Sequence, residues 1–298
     1  GIAVAYALAI LESEEIAHPR LEVILTVDEE VGMDGARGLD VSMLQGKRMV
    51  NLDSEEEGIF LAGCAGGARV DWTLPVSRRK QEGAVYEIGV QGLLGGHSGA
   101  EIDKGRGNAN CLMARLLYEL SDIAGLGMAE LSGGLADNAY PREAVAIVVL
   151  AGEGREQEEA RFMEKIKSVE KEWQQEMQTK DPGVCISVKK MPSGSREVVD
   201  GEEWMKLVRL LFGAPDGVQA MSADIEGLVE TSLNMGIMNL EKGRAVVQFS
   251  VRSSLESAKW ALIRKLESLA RLAGAQQAVR GDYPGWAFRK DSPLRDMA

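Results

Sequence analysis

The chain opens on an apolar run, Ile2 to Leu11, with no polar face, the pattern of a helix buried against a sheet. The segment LEVILTVDEE (Leu21 to Glu30) follows as a short apolar strand closing on acids, and a second strand-like run, Lys47 to Leu52, closes on Asp53 to Glu57. Open α/β sheets place ligands beyond the carboxyl ends of their strands, so both ends bring carboxylates toward one edge. From about Gly66 the pattern changes. VYEIGVQG (Val85 to Gly92) alternates like a half-exposed strand, LLGGHSG is a glycine-rich turn, and Asn108 to Ile123 has the spacing of an amphipathic helix. The theme repeats in AVAIVVL, in a charged helix from Glu156 to Thr179 that reads as a solvated face, and in CISVKKM. After a Pro/Gly/Ser break at Pro192 to Ser195, the spacing predicts a helix at Glu202 to Phe212, strands around Gly227 to Met238 and Ala245 to Ser253, and a helix at Glu256 to Ala273. DYPGWAFRKDSP reads as a turn-rich return to the first region. The fold class is therefore α/β: a partial doubly wound domain with an inserted α+β domain of antiparallel strands. No internal repeat is evident in the residues.

The 46 acidic and 34 basic residues give a net charge of −12, which repels phosphate backbones, so neither nucleic acid nor an anionic membrane is an expected partner. The apolar runs fall short of the roughly 20 residues needed to cross a bilayer, which makes a cytoplasmic protein the default expectation. Cys64, Cys111 and Cys185 are far apart and read as buried free thiols. The first helix begins at Gly1 with no capping residue ahead of it, as though the chain were cut there.

Three adjacent carboxylates, Asp28, Glu29 and Glu30, repel one another unless a cation or solvent relieves them. In an extended stretch Glu29 and Glu30 point to opposite sides, so one can ligate a metal while the other faces a metal-bound water. Asp53 at the second strand end supplies another carboxylate, with Glu55, Glu56 and Glu57 as alternatives or as a solvated acidic loop. His97 sits in a glycine loop that can present an imidazole to a ligand, whereas His18, before Pro19, reads as structural or solvent-facing.

The blocks TVDEEVGMDGARGL, NLDSEEEG, GCAGG, GGHSGAEIDKGRGNA and DYPGW, taken in order along nearly the whole chain, resemble the aminoacyl-histidine dipeptidases, a branch of the co-catalytic di-zinc peptidases. The resemblance implies a catalytic domain at residues 1–66 and 284–298, holding two zinc ions per intact subunit or another divalent metal. It implies a lid and homodimerisation domain at residues 67–283, and a dipeptide substrate. Carried over residue by residue, Glu29 resembles the general base, Glu30 and Asp53 resemble zinc ligands, and His97 resembles the lid histidine that polarises the scissile carbonyl. Asn234 in TSLNMG and Arg252 in FSVRSS match the groups that hold the substrate's carboxylate. The family's upstream His-x-Asp block, its bridging Asp and its late histidine have no counterpart here. The expectation is therefore a fragment, inactive alone, whose first region resists proteases less than its lid. Alternatives are a non-catalytic dimerisation module, or the same chemistry on N-acyl amino acids or longer peptides.

Overall fold

The computed structural model describes residues 1–29, 33–53, 57–152, 156–286 and 288–298. They form two compact units, Gly1–Ala62 with Phe288–Ala298, and Gly63–Ala287. The first unit contains helix α1 (Ile2–Glu12), the single turn α2 (Asp34–Arg37) and two further short turns at Val41–Met43 and Pro293–Met297. Among its described residues the runs expected as strands, Leu21 to Glu30 and Lys47 to Leu52, form no ladder. Extended backbone becomes a strand only when a neighbour takes up its hydrogen bonds. A side chain ties the first run to the residues just before the second instead: the Glu22 carboxylate accepts from Gln45 N (2.9 Å) and Gly46 N (2.7 Å). Those donors, Gly46 foremost, hold Glu22 below the usual carboxylate range. Among the described residues the unit of α1 holds no sheet, the helix has no buried residue, and Ile2 and Leu8 are 66% and 61% exposed, so its expected burial is not observed.

The second unit is an antiparallel sheet with helices packed on it. In chain order its elements are β1 (Gly66–Pro75), β2 (Arg78–Gln91), β3 (Gly96–His97), α3 (Ala109–Glu119), β4 (Leu126–Gly133), β5 (Ala139–Tyr140), β6 (Ala144–Ala151) and α4 (Glu156–Glu176). They continue with β7 (Cys185–Val199), α5 (Gly201–Gly213), β8 (Gly217–Met221), β9 (Val229–Glu241), β10 (Arg244–Ser253), α6 (Glu256–Ala273) and β11 (Gln276–Tyr283). The sheet order is β11-β1-β10-β9-β4-β6-β2-β7, with β8 also on β9 and a separate β3-β5 ribbon. Two βαββαβ modules emerge that no repeat in the residues announces. One is β2-α3-β4-β6-α4-β7. The other, β1-α5-β9-β10-α6-β11, has the first inserted after its opening strand. The modules meet edge to edge where Ser132 and Gly133 of β4 face Asn239 and Met238 of β9.

Period-two burial drives the strands and 3.6-residue burial the helices. Ala68, Val70, Trp72 and Leu74 of β1 all enter the core, with Trp72 edge-on to Phe249 of β10 at 4.6 Å. Helix α4 is not solvated all round: Phe162, Ile166, Val169 and Trp173 form a buried stripe on it. The break expected at Pro192 to Ser195 lies inside β7. This is an edge strand, and its register with β2 shifts between Gly83 and Val85, opposite Gly194 and Met191, so the proline sits at a bulge. Cys64 is exposed, contrary to its expected burial.

Amide hydrogen exchange is expected to divide the chain along these lines. The β1, β9 and β10 amides should be the slowest, and those of residues 21–27 and 47–53 should exchange by local opening. Uniform protection across both sets would contradict the absence of a ladder in the first unit.

Candidate functional site

His97 is presented by the loop from Leu94 to Gly107, and the loop is held at both feet by one carboxylate. Asp181, fully buried beyond α4, accepts from Leu94 N (2.7 Å) and Gly107 N (2.6 Å). Gly92, just before the loop, has φ +84°, and a Cβ there would stand 1.9 Å from Gly183 O, so only glycine fits. Inside the loop, Glu101 accepts from His97 N (3.0 Å) and pairs with Lys104 and Arg106, while Arg106 donates to Gly95 O. The Lys104 bond, then the His97 amide, hold the Glu101 carboxyl down at about 2. The far side is the β3-β5 ribbon, in which His97 faces Ala139 and Ser98 N donates to Asn138 O (2.8 Å).

The His97 ring is oriented by its own loop. Its Nδ1 accepts from Gly99 N (3.2 Å) and Ala100 N (3.0 Å), so the proton of the neutral ring lies on Nε2. The exposed imidazole therefore offers an N–H donor outward. Arg252, on β10, lies against the same glycine: a Cβ at Gly99 would stand 2.9 Å from His97 Cε1 and 3.2 Å from Arg252 Cζ. Arg252 donates through Nη1 to Tyr283 Oη (3.2 Å), and its buried Nε has no partner.

Asn234, on β9 and fully buried, commits both amide hydrogens to the loop behind His97, donating to Asp137 O and Ala139 O at 2.9 Å each. Its Oδ1 accepts from Asn108 (3.1 Å), the residue that caps α3 through Asn110 N (2.9 Å). Asn108 also donates to Asp216 (3.1 Å), which accepts from Met235 N (2.8 Å). Desolvation pushes the Asp216 carboxyl up to about 6, against these donors.

Of the candidate residues, the second unit thus brings together His97, Asn234 and Arg252. Glu29 and Asp53 lie in the first unit, both exposed, the latter with its N–H donating to Asn51 Oδ1 (3.3 Å). Glu30, Glu55 and Glu56 fall outside the described residues. Among the described residues no three His, Cys, Asp or Glu side chains converge as a metal would require, so they do not by themselves fit a zinc site. Reasoning from sequence missed Asp181, Glu101 and Tyr283. Glu101 and Tyr283 lie inside the family-like blocks GGHSGAEIDKGRGNA and DYPGW, while Asp181 follows a helix in a D-P-G turn.

Residues 88–181 match the family described as peptidase dimerisation domain. The whole chain is 35% identical over 303 residues to the cytosol non-specific dipeptidase of Escherichia coli (strain K12), covering 61% of that protein. The crystal structure of aminoacylhistidine dipeptidase from Vibrio alginolyticus superposes with a TM-score of 0.92 at 35% identity, over 99% of this chain and 60% of that one. The chain therefore spans about 60% of the length of the relatives it matches.

Two measurements test how the loop is held. Asp181→Asn leaves one of two buried N–H groups without an acceptor and is expected to cost about 1–3 kcal/mol in denaturant unfolding, far more than the exposed Glu82→Gln. The raised Asp216 favours its neutral form in the folded state. Its contribution is complete below the ordinary value of 3.8 and is lost as pH rises through about 6. Asp216→Asn should flatten that part of the Tm-versus-pH curve, and an unchanged slope would exclude Asp216 as its source.

Proposed function

We propose, from the premise that this chain belongs to the aminoacyl-histidine dipeptidase family, that the protein hydrolyses the peptide bond of Xaa-His dipeptides. The observation that carries this reading is the pairing of an outward Nε2–H on His97 with the Arg252 guanidinium across Gly99. A neutral donor beside a planar cation suits a peptide carbonyl next to a terminal carboxylate, the two polar groups that end a dipeptide. His97 polarises the carbonyl and Arg252 takes the carboxylate. Asn234, whose donors are committed to loop carbonyls, serves by holding the loop. Glu29 is the base that takes the proton of the attacking water.

Zinc, at two ions per intact subunit, is proposed for the whole protein with Glu30 and Asp53 among its ligands. A bound divalent ion would make water acidic enough to deprotonate near neutral pH. The peptidase dimerisation match supports a homodimer formed through the second unit, and the cytosol relative's name supports a cytoplasmic location. That relative is also called non-specific, which favours a second reading in which many dipeptides are accepted.

The test is hydrolysis of an Xaa-His dipeptide by a protein that carries this chain together with the remaining length of its relatives, since the chain alone is expected to be inactive. Glu29→Gln is expected to lower kcat by about 10³ and His97→Asn by about 10². Equal rates in either variant would remove that residue from the chemistry; appreciable hydrolysis by this chain alone would refute its expected inactivity, and no hydrolysis by the longer protein in the presence of zinc would favour a binding module. Elemental analysis after dialysis against trace zinc is expected to find less than about one ion per chain, in keeping with the incomplete ligand set. Two ions would mean that residues outside the described set, or a partner subunit, complete the site.

A further inference from the structure

Residue Arg252 must be held in one orientation if it is to receive a carboxylate, and nothing on its own strand does so. We infer that Tyr283 is the positioning residue for Arg252, and that the buried Lys259 fixes Tyr283. This rests on the reading of Arg252 as the carboxylate-binding group.

Three observations converge. First, Tyr283 Oη is a neutral acceptor for Arg252 Nη1 at 3.2 Å, so it orients the guanidinium without neutralising it. Second, the phenol has one place to lie. A Cβ on Gly67 would stand 2.5 Å from Tyr283 Oη, and one on Gly66 would stand 2.7 Å from Tyr283 O, so the two glycines that open β1 form the seat of this tyrosine. Third, its backbone is clamped from below. Lys259, on α6 and 0% exposed, donates to Tyr283 O (2.8 Å) and pairs with Asp282 (2.6 Å) and Glu256 (3.0 Å). Burial opposes the charge of Lys259, yet Asp282 and Glu256 hold its ammonium above the ordinary lysine value. A buried ammonium held by two carboxylates and a carbonyl from α6 and β11 is a rigid anchor, because moving it away from them would leave a desolvated charge.

The blocks GCAGG and DYPGW, far apart in the chain, thus meet to build one support. Gly66 and Gly285 approach closely enough that a Cβ on either would strike the other's backbone. The chain of support runs from Lys259 through Tyr283 to Arg252 and ends against Gly99, beside His97.

The experiment compares Tyr283→Phe with the parent chain by two readouts. In the first, arginine side chains are labelled with ¹⁵N and the Arg252 Nε–H signal is identified by its loss in Arg252→Ala. In Tyr283→Phe that signal should shift and exchange with solvent at least about fivefold faster. An unchanged signal overturns the inference whatever the protein hydrolyses. In the second, calorimetry follows binding of glycyl-histidine and of its C-terminal amide. Tyr283→Phe should weaken the free acid about fivefold, leave the amide unchanged, and add nothing in an Arg252→Ala background. Equal losses for acid and amide, or additive losses, would make Tyr283 merely structural. A perturbed Arg252 signal without binding of either peptide would uphold the positioning while sinking the assignment of Arg252 to a dipeptide carboxylate. Lys259→Met should reproduce the Arg252 shift in a folded protein; should it fail to fold, Tyr283→Phe decides alone.

Discussion

A glycine-rich loop has too much conformational freedom to hold an imidazole in one place, and the second unit answers that constraint with a single buried carboxylate. Asp181 takes one backbone N–H from each foot of the loop, at Leu94 and Gly107, so the span between them is closed as a ring rather than left as a strand end. Each bond is charge-assisted and shielded from water, the setting in which such bonds are strongest. What remains inside the ring is short enough for Glu101 and Arg106 to brace it and for two backbone amides to choose the tautomer of His97. Every functional property proposed for that histidine depends on this closure.

The two modules divide the site between them. The inserted module carries the His97 loop, the β5 ribbon behind it and Asp181. The surrounding module carries Asn234 on β9, Arg252 on β10 and Tyr283 at the end of β11. Because β4 and β9 join the modules in one continuous sheet, the loop of one is set against strands of the other with no hinge between them. Asn234 bonds across that join, its amide reaching from β9 to the carbonyls of Asp137 and Ala139, and Asn108 donates back to it. Arg69 on β1 adds an ion pair to Asp137. Both contacts converge on the segment that faces His97.

Legibility followed how local each signal was. Helix α6 was readable to its ends, and α5 nearly so, because their apolar periodicity and flanking residues lie within the helix. The α/β class, the antiparallel character of the second region and the loop holding His97 were equally plain. Strands β1, β4, β8 and β11 went unrecognised, since a strand is defined by its partners, and those of β1, β10 and β11, lie near the far end of the chain. The reverse error has the same origin: apolar content at Leu21 to Val27 signals a strand only if a neighbour completes the ladder. In the site, His97, Asn234 and Arg252 were legible as members of short sequence blocks, whether exposed or buried. Of the ones that hold them, Asp181 gave no sign, because a buried acceptor is defined by the backbone amides folded around it, whereas Glu101 and Tyr283 sat inside family-like blocks that did not reveal their contacts.

Charge pairing explains why Arg252 differs from the cations around it. Arg69 is matched by Asp137, Arg280 by Asp71, Arg106 by Glu101, and Lys259 by Asp282 and Glu256. In each case a neighbouring carboxylate consumes the positive charge. Among the described residues Arg252 is given a phenol instead, and its buried Nε has no acceptor. A guanidinium in that state has both unmet donors and uncompensated charge, and one ligand relieves both: a carboxylate, which can accept two parallel N–H bonds from the fork. A neutral carbonyl would satisfy the donors while leaving the charge. The carboxylate-binding role proposed for Arg252 therefore rests on what surrounds the arginine as much as on the arginine itself.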